Sequence, residues 1–283
     1  MRALNIEVPD RLIQRWLAWF SPEVQPFVVN DALLARVGDR LGDKGLSLEL
    51  RDTYCLYGLA RGLRCVWLSE AEFMELDRAQ RSALVRAQIV YGREIVPTVR
   101  AWAPLVGEAA RTQADGHRFV WWRSLLDSVE EQVLTDYIEE GRRPSRHDEV
   151  PDDLWNSVTQ VLPGARALAG TFPAASGPNC FGIVMAAAGV AGADGVGMQR
   201  ETFEDWLADA TRPGGGDDDA GTVLLWHSPD RLVQHAAVSL GEGWVLHKPS
   251  QGWMSPTKVL TTAECKASSR STGRRLERRF ILR

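Results

Sequence analysis

Apolar residues never run together in this chain for anything near the roughly 18 positions that a membrane-spanning helix requires. No membrane span is expected. The opening ten residues, MRALNIEVPD, place acids and a proline where a secretory signal needs a basic segment followed by an apolar one, so a cytoplasmic location is expected. Cysteine is scarce. Cys55, Cys65, Cys180 and Cys265 are too few and too scattered for a disulfide framework, and no C-x-x-C pair suggests zinc. Neither a metal nor a cofactor is expected, and a reducing compartment fits this usage. Charge of one sign is also lacking: the formal net charge of -4 provides no general attraction to nucleic acid. Residues 266–283 do carry seven basic residues against one acid, Glu277, and the expectation there is a solvated, amphipathic last strand over 274–282.

What is present is ordinary globular material, with 45% hydrophobic and 25% charged residues. At about 150 residues per domain, 283 residues allow one large or two modest domains. An α+β chain is expected, with a mainly helical domain of unknown role over 1–150 and a second domain over 151–283. In the first, Leu12, Ile13, Trp16, Leu17 and Phe20 form one helical stripe that ends at Ser21-Pro22. Ser69 and Glu72 have the spacing of a capping box, which predicts a helix over 70–91. Leu125, Val129, Val133 and Tyr137 repeat every four residues and predict another over 121–140, stopped by Gly141. The charged, proline-bounded segment 141–151 marks a linker. Cys55 and Cys65, among Tyr54, Leu56, Val66 and Trp67, read as small buried hydrophobes.

The second half changes texture. Short helices are predicted over 180–189 and 201–210, then an acidic, glycine-rich loop over 214–219 that reads as flexible and solvent-exposed. Asp217, Asp218 and Asp219 lack the alternate spacing of a calcium loop. Strands follow over 222–226, 235–240 and 244–247, separated by glycine and proline signals.

Cys180 alone sits where a thiolate has support. In Ser-Gly-Pro-Asn-Cys-Phe-Gly, 176–182, a glycine-proline turn meets the start of an apolar helix. Unpaired N–H groups and the positive dipole end there are expected to lower the thiol pKa and to stabilise an oxyanion, through the Cys180 N–H with Asn179 as a second donor. Cys265, in a polar segment with no base near it in sequence, reads as incidental. A thiolate in acyl transfer needs an imidazole to take and return its proton and a third group to orient that imidazole. His235 and His247 lie on two strands around Gly241-Glu242-Gly243. A hairpin centred on Glu242 places both histidines on one face, whereas a two-residue turn shifts the register and separates them. His227 reads as a loop histidine.

These residues resemble the NlpC/P60 superfamily of papain-like cysteine peptidases and amidases. In that family a nucleophile turn at a helix start is followed by a strand, a His-bearing strand, and a polar residue in the next strand. Here Asn179-Cys180-Phe181-Gly182, then 221–226, then His235 to Gly241, then His247 follow the same order. The resemblance covers roughly 177–256. It departs from the family at Asn179 and Thr222, where acids are usual, and at Phe181, where serine is usual, and it lacks a placeable upstream tyrosine. The resemblance implies a papain-like NlpC/P60-type domain with a small antiparallel sheet, with Cys180 as thiol nucleophile, His235 as base and His247 as orienting residue in a catalytic triad. No aspartate follows His235, which argues against a transglutaminase-like Cys-His-Asp set. Lys248, Gln251 and Trp253 are candidates for a substrate-cleft wall, Trp253 by stacking.

The expected function is a cysteine hydrolase or amidase that attacks an amide, ester or thioester of a small-molecule or peptide substrate through an acyl-enzyme on Cys180. The alternatives are an acyltransferase, as in lecithin:retinol acyltransferase-like relatives, or a non-catalytic binding protein on the same scaffold. No nucleic-acid partner is expected.

Overall fold

Residues 1–38, 46–93 and 95–282 are described by a computed structural model. The chain is mixed α+β and divides into two compact units: Pro9–Tyr137 with Met1, and Ile138–Arg283 with Arg2–Val8. The division falls earlier than the 150/151 boundary that the charged linker suggested. Among the described residues no helix is long and apolar enough to cross a membrane.

The chain begins with two short paired strands, β1 (Arg2–Ala3) and β2 (Ile6–Glu7), which belong to the second unit. The first unit then runs through α1 (Asp10–Phe20), β3 (Val24–Val29), α2 (Asp31–Val37), α3 (Leu48–Thr53), β4 (Arg64–Ser69), α4 (Glu70–Glu75), α5 (Arg78–Val90), α6 (Val99–Gln113) and α7 (Arg123–Leu126) to α8 (Glu130–Glu139). In α1 the five predicted stripe residues are all buried. The capping box at Ser69 forms as read, but its helix stops at Glu75, and Asp77 with Gln80 builds a second box that starts α5. Two short helices thus replace the one expected over 70–91. Likewise Asp127 and Ser128, the latter at φ 66°, break the helix expected over 121–140 into α7 and α8. Helices make up most of the unit, and beside them β3 pairs antiparallel with β4 from Val24↔Ser69 to Val29↔Arg64. Cys55 is exposed and Cys65 half-buried, so neither is the fully buried hydrophobe expected.

The second unit continues with α9 (Asp152–Val158), α10 (Ala165–Leu168), α11 (Cys180–Ala187), α12 (Arg200–Ala210), β5 (Thr211–Pro213), β6 (Thr222–His227), β7 (Val233–Gly241), β8 (Trp244–His247), β9 (Lys258–Thr261), α13 (Thr262–Ser269) and β10 (Arg275–Ile281). Six strands form one antiparallel sheet in the order β5-β10-β6-β7-β8-β9. Side chains alternate across it. Val223, Leu225, Ala236, Val238, Leu246 and Val259 pack with α9, α11 and α12. Leu224, Trp226, Ala237, Val245 and Leu260 point the other way and pack with Cys265 of α13. Cys265 is therefore core, not part of a polar tail.

The loop over 214–219 is anchored rather than flexible. The Asp217 carboxylate pairs with Lys266 and, at 2.9 Å, with Arg278, while its carbonyl accepts from Ser239 Oγ at 2.7 Å. These cations hold its carboxyl below the usual aspartate range.

Helix α11 approaches the turn at Ala193 closely, and Gly182 is what permits this: a Cβ on it would lie 2.2 Å from the Ala193 carbonyl oxygen. Gly182→Ala is expected to destabilise the second unit by about 1–3 kcal/mol through this backbone collision, read as a lowered midpoint in urea unfolding.

Candidate active site

Asn179 starts α11. Its Oδ1 accepts from the N–H groups of Phe181 (3.2 Å) and Gly182 (3.1 Å), a strong N-cap arrangement. Its Nδ2 donates to the Met198 carbonyl at 2.8 Å. The carboxamide is engaged at both ends, and Asn179 thereby positions the turn before Cys180. Cys180 follows as the first helical residue. Backbone N–H groups of Ala236, Phe181 and Cys180 favour the charged form of its sulfur.

Ala236 ties the thiol to the sheet, because it follows His235 in β7. The last cross-strand partners of β7 and β8 at this end are Val238 and Leu246, which leaves Ala236 without a partner on the β8 side. The two histidines meet one step away. His235 Nε2 lies 2.9 Å from His247 Nε2, with the rings perpendicular at 89° and their centroids 5.0 Å apart. Trp226, opposite His235 on β6, covers the pair with a ring centroid 5.3 Å from that of His235. Both turn alternatives contribute to this arrangement. Glu242 (φ 51°) and Gly243 (φ 81°) make a two-residue turn beneath Gly241↔Trp244, and a bulge at Leu240 restores the Glu242-centred register from Ser239↔Val245 onward. Thiol and imidazole thus reach β7 at consecutive residues. Among the described residues they share no hydrogen bond with each other.

The electrostatics reverse the expected sign at the thiol. The three N–H groups and the nearby Lys248 favour the thiolate, but burial outweighs them and pushes the Cys180 pKa up to about 11. Burial, with a contribution from Arg274, takes His235 down to about 4. His247 also lies well below the ordinary histidine value, first through burial and then through the charges of His235, Lys258 and Lys248. At neutral pH the resting state is a thiol and two neutral imidazoles. One Nε2 carries the shared proton. If His235 holds it, His235 Nδ1 is a free base, and His247 accepts through Nε2, where Ser269 Oγ also lies at 3.5 Å. His247 Nδ1 is buried without a partner.

Of the remaining predicted cleft residues, Lys248 and Trp253 are buried and Gln251 is exposed. Lys248 is 1% exposed and donates to the Ser255 carbonyl. The Gln251 carbonyl accepts from Gly177 N–H at 2.9 Å, and Trp253 N–H donates to Ser176 Oγ at 3.1 Å. The segment after β8 is thereby stitched to the turn before Cys180. Trp253 is 0% exposed and belongs to the core, with no face left for stacking on a substrate. His227 ends β6 rather than sitting in a loop. Its Nδ1 donates to the Arg231 carbonyl at 3.1 Å, and its Nε2 faces Glu277 at 3.2 Å. Among the described residues no three His, Cys, Asp or Glu side chains gather closely enough to hold a metal ion.

Asn179→Ala should cost about 1 kcal/mol through loss of the cap, seen in denaturant unfolding. The buried imidazoles predict acid sensitivity. A histidine whose folded pKa is depressed contributes stability that is complete above 6.5 and is lost as pH falls through about 4, so His235 accounts for about 3 kcal/mol of that loss. Stability should therefore fall between pH 6.5 and 4 in the wild type and fall less steeply in His235→Gln. Equal slopes in pH-resolved unfolding would contradict the neutral burial of His235.

No protein-family profile, curated protein or solved structure matches the chain.

Proposed function

We propose that the second unit is a papain-like cysteine hydrolase or amidase that forms an acyl-enzyme on Cys180, with His235 as base and His247 as the residue that orients it. One observation carries this reading: Cys180 opens the Asn179-capped helix α11, the N–H of Ala236 in the sheet favours its thiolate, and the residue before Ala236, His235, hydrogen-bonds His247.

The resting neutrality determines the order of events. With the thiol near 11 and His235 near 4, no thiolate-imidazolium pair exists before substrate arrives. The sulfur attacks the carbonyl carbon as its proton passes to His235 Nδ1. The C–S bond forms and the carbonyl π electrons move onto oxygen, where the Cys180 N–H stabilises the charge. The new imidazolium is held by donation from its Nε2–H to His247. Collapse expels the amine, alcohol or thiol with the proton from His235, and water then cleaves the acyl-enzyme by the reverse relay. If an amine or alcohol resolves that intermediate, the same steps give an acyltransferase.

A second reading, a binding protein on the same scaffold, is favoured by the separate neutrality of thiol and imidazole and by the missing hydrogen bond between them. The two readings separate on p-nitrophenyl butyrate at pH 7, with acylation followed by mass spectrometry. For an enzyme, Cys180 acylates in the wild type, Cys180→Ala does not, His235→Ala slows acylation roughly 100-fold or more, and His247→Ala slows it less. For a scaffold, Cys180 acylates no faster than its small thiolate fraction allows, and removing His235 brings no loss of this size.

A further inference from the structure

Away from Cys180, a cavity of 510 Å³ opens on the α12 side of the sheet. Neither Cys180 nor the two paired histidines line it. Its volume is in the range of small-molecule pockets, roughly 300–1,000 Å³. The floor is apolar: Leu207 of α12, Leu225 of β6 and Val233 of β7 line it and are buried. Its charged wall groups divide into two classes. Arg279 donates to Thr211 Oγ1 at 2.7 Å, and Glu204 accepts from Val233 N–H at 3.2 Å. Glu277 faces His227 at 3.2 Å and Arg279 at 3.8 Å. His227 commits its Nδ1 proton to the Arg231 carbonyl, so its Nε2 faces Glu277 without a hydrogen bond, and Arg279 is the cation of this class that balances that carboxylate.

Arg231 and Arg275 form the second class. Both are exposed at the rim, and among the described residues neither guanidinium has an ion-pair or hydrogen-bond partner. The rim that carries Arg231 is ordered: Arg231 N–H donates to Ser228 O at 2.9 Å, Ser228 N–H to Leu232 O at 3.0 Å, and the nearby acid, Asp230, is held by the Ser228 hydroxyl. Subtracting the engaged groups leaves an apolar floor beneath two free, planar cations.

We propose that this cavity binds a small amphipathic carboxylate, with its alkyl or aryl body on Leu207, Leu225 and Val233 and its carboxylate between Arg231 and Arg275. Guanidinium recognises carboxylate by paired N–H donors, and the floor supplies the hydrophobic contribution that rim charges alone lack. This inference does not depend on the chemistry proposed for Cys180.

The test is calorimetric titration of the full chain with octanoate and with 1-octanol. Octanoate should bind saturably and at least roughly tenfold more tightly than the alcohol. The Arg231→Ala/Arg275→Ala variant should lose roughly tenfold for octanoate, as expected for two partly exposed ion pairs, and bind octanol as before. Ala208→Trp, which places a large ring on the exposed wall of the cavity, should abolish both, with circular dichroism confirming the fold of each variant. Absence of saturable octanoate binding, equal octanoate affinity in the double-arginine variant, or binding that survives Ala208→Trp would overturn the proposal.

Discussion

One extra residue in the hairpin of β7 and β8 decides what the candidate site can be. A strand presents successive side chains to opposite faces, so a shift of one position between the two strands would put His235 and His247 on opposite sides of the sheet. The tight turn at Glu242 and Gly243 would produce that shift if pairing continued regularly from Gly241↔Trp244. The bulge at Leu240 absorbs the odd residue, and from Ser239↔Val245 onward both histidines share a face. The Nε2 to Nε2 bond of 2.9 Å, the cover of Trp226 and the approach of Ser269 all depend on that parity.

The site is also a case of burial opposing local electrostatics. A helix start and three N–H donors favour a thiolate, as does the positive charge of Lys248, yet desolvation is the larger effect at the sulfur. The same is true of the imidazoles, where the charged form loses more in leaving water than its surroundings return. The polar groups around the sulfur favour a charge that the buried thiol does not carry at neutral pH. An arrangement of this kind is strongest when charge develops transiently, because the donors are already oriented and little reorganisation accompanies the reaction.

Much of this was legible in the residues. The stripe of α1, the Ser69-Glu72 box, the helix start at Cys180, the meander of β6, β7 and β8 and the final strand each follow from a local signal that the fold respects. The failures have physical causes. The strand pair of β3 and β4 was hidden because Gln25 to Val29 are all buried and so show no alternation, leaving a short apolar run that periodicity does not separate from helix. The break at Asp77 was masked by a second cap inside a continuous apolar pattern. At the candidate site, residue order picked out His235 and His247, which the hairpin brings together, but the contacts of Asn179 and Trp253 depend on partners at Met198 and Ser176, far away in sequence. The sign of the thiol shift was not legible either, since desolvation is set by everything packed around the sulfur.

The raised thiol pKa has a redox side. Peroxides oxidise thiolates, not thiols, and a group with a pKa of about 11 presents about one thiolate in ten thousand molecules at pH 7. Burial therefore shields Cys180 from conversion to sulfenic acid. A thiol that so rarely gives up its proton is, by the same measure, a cysteine that can persist reduced in an oxidising interval.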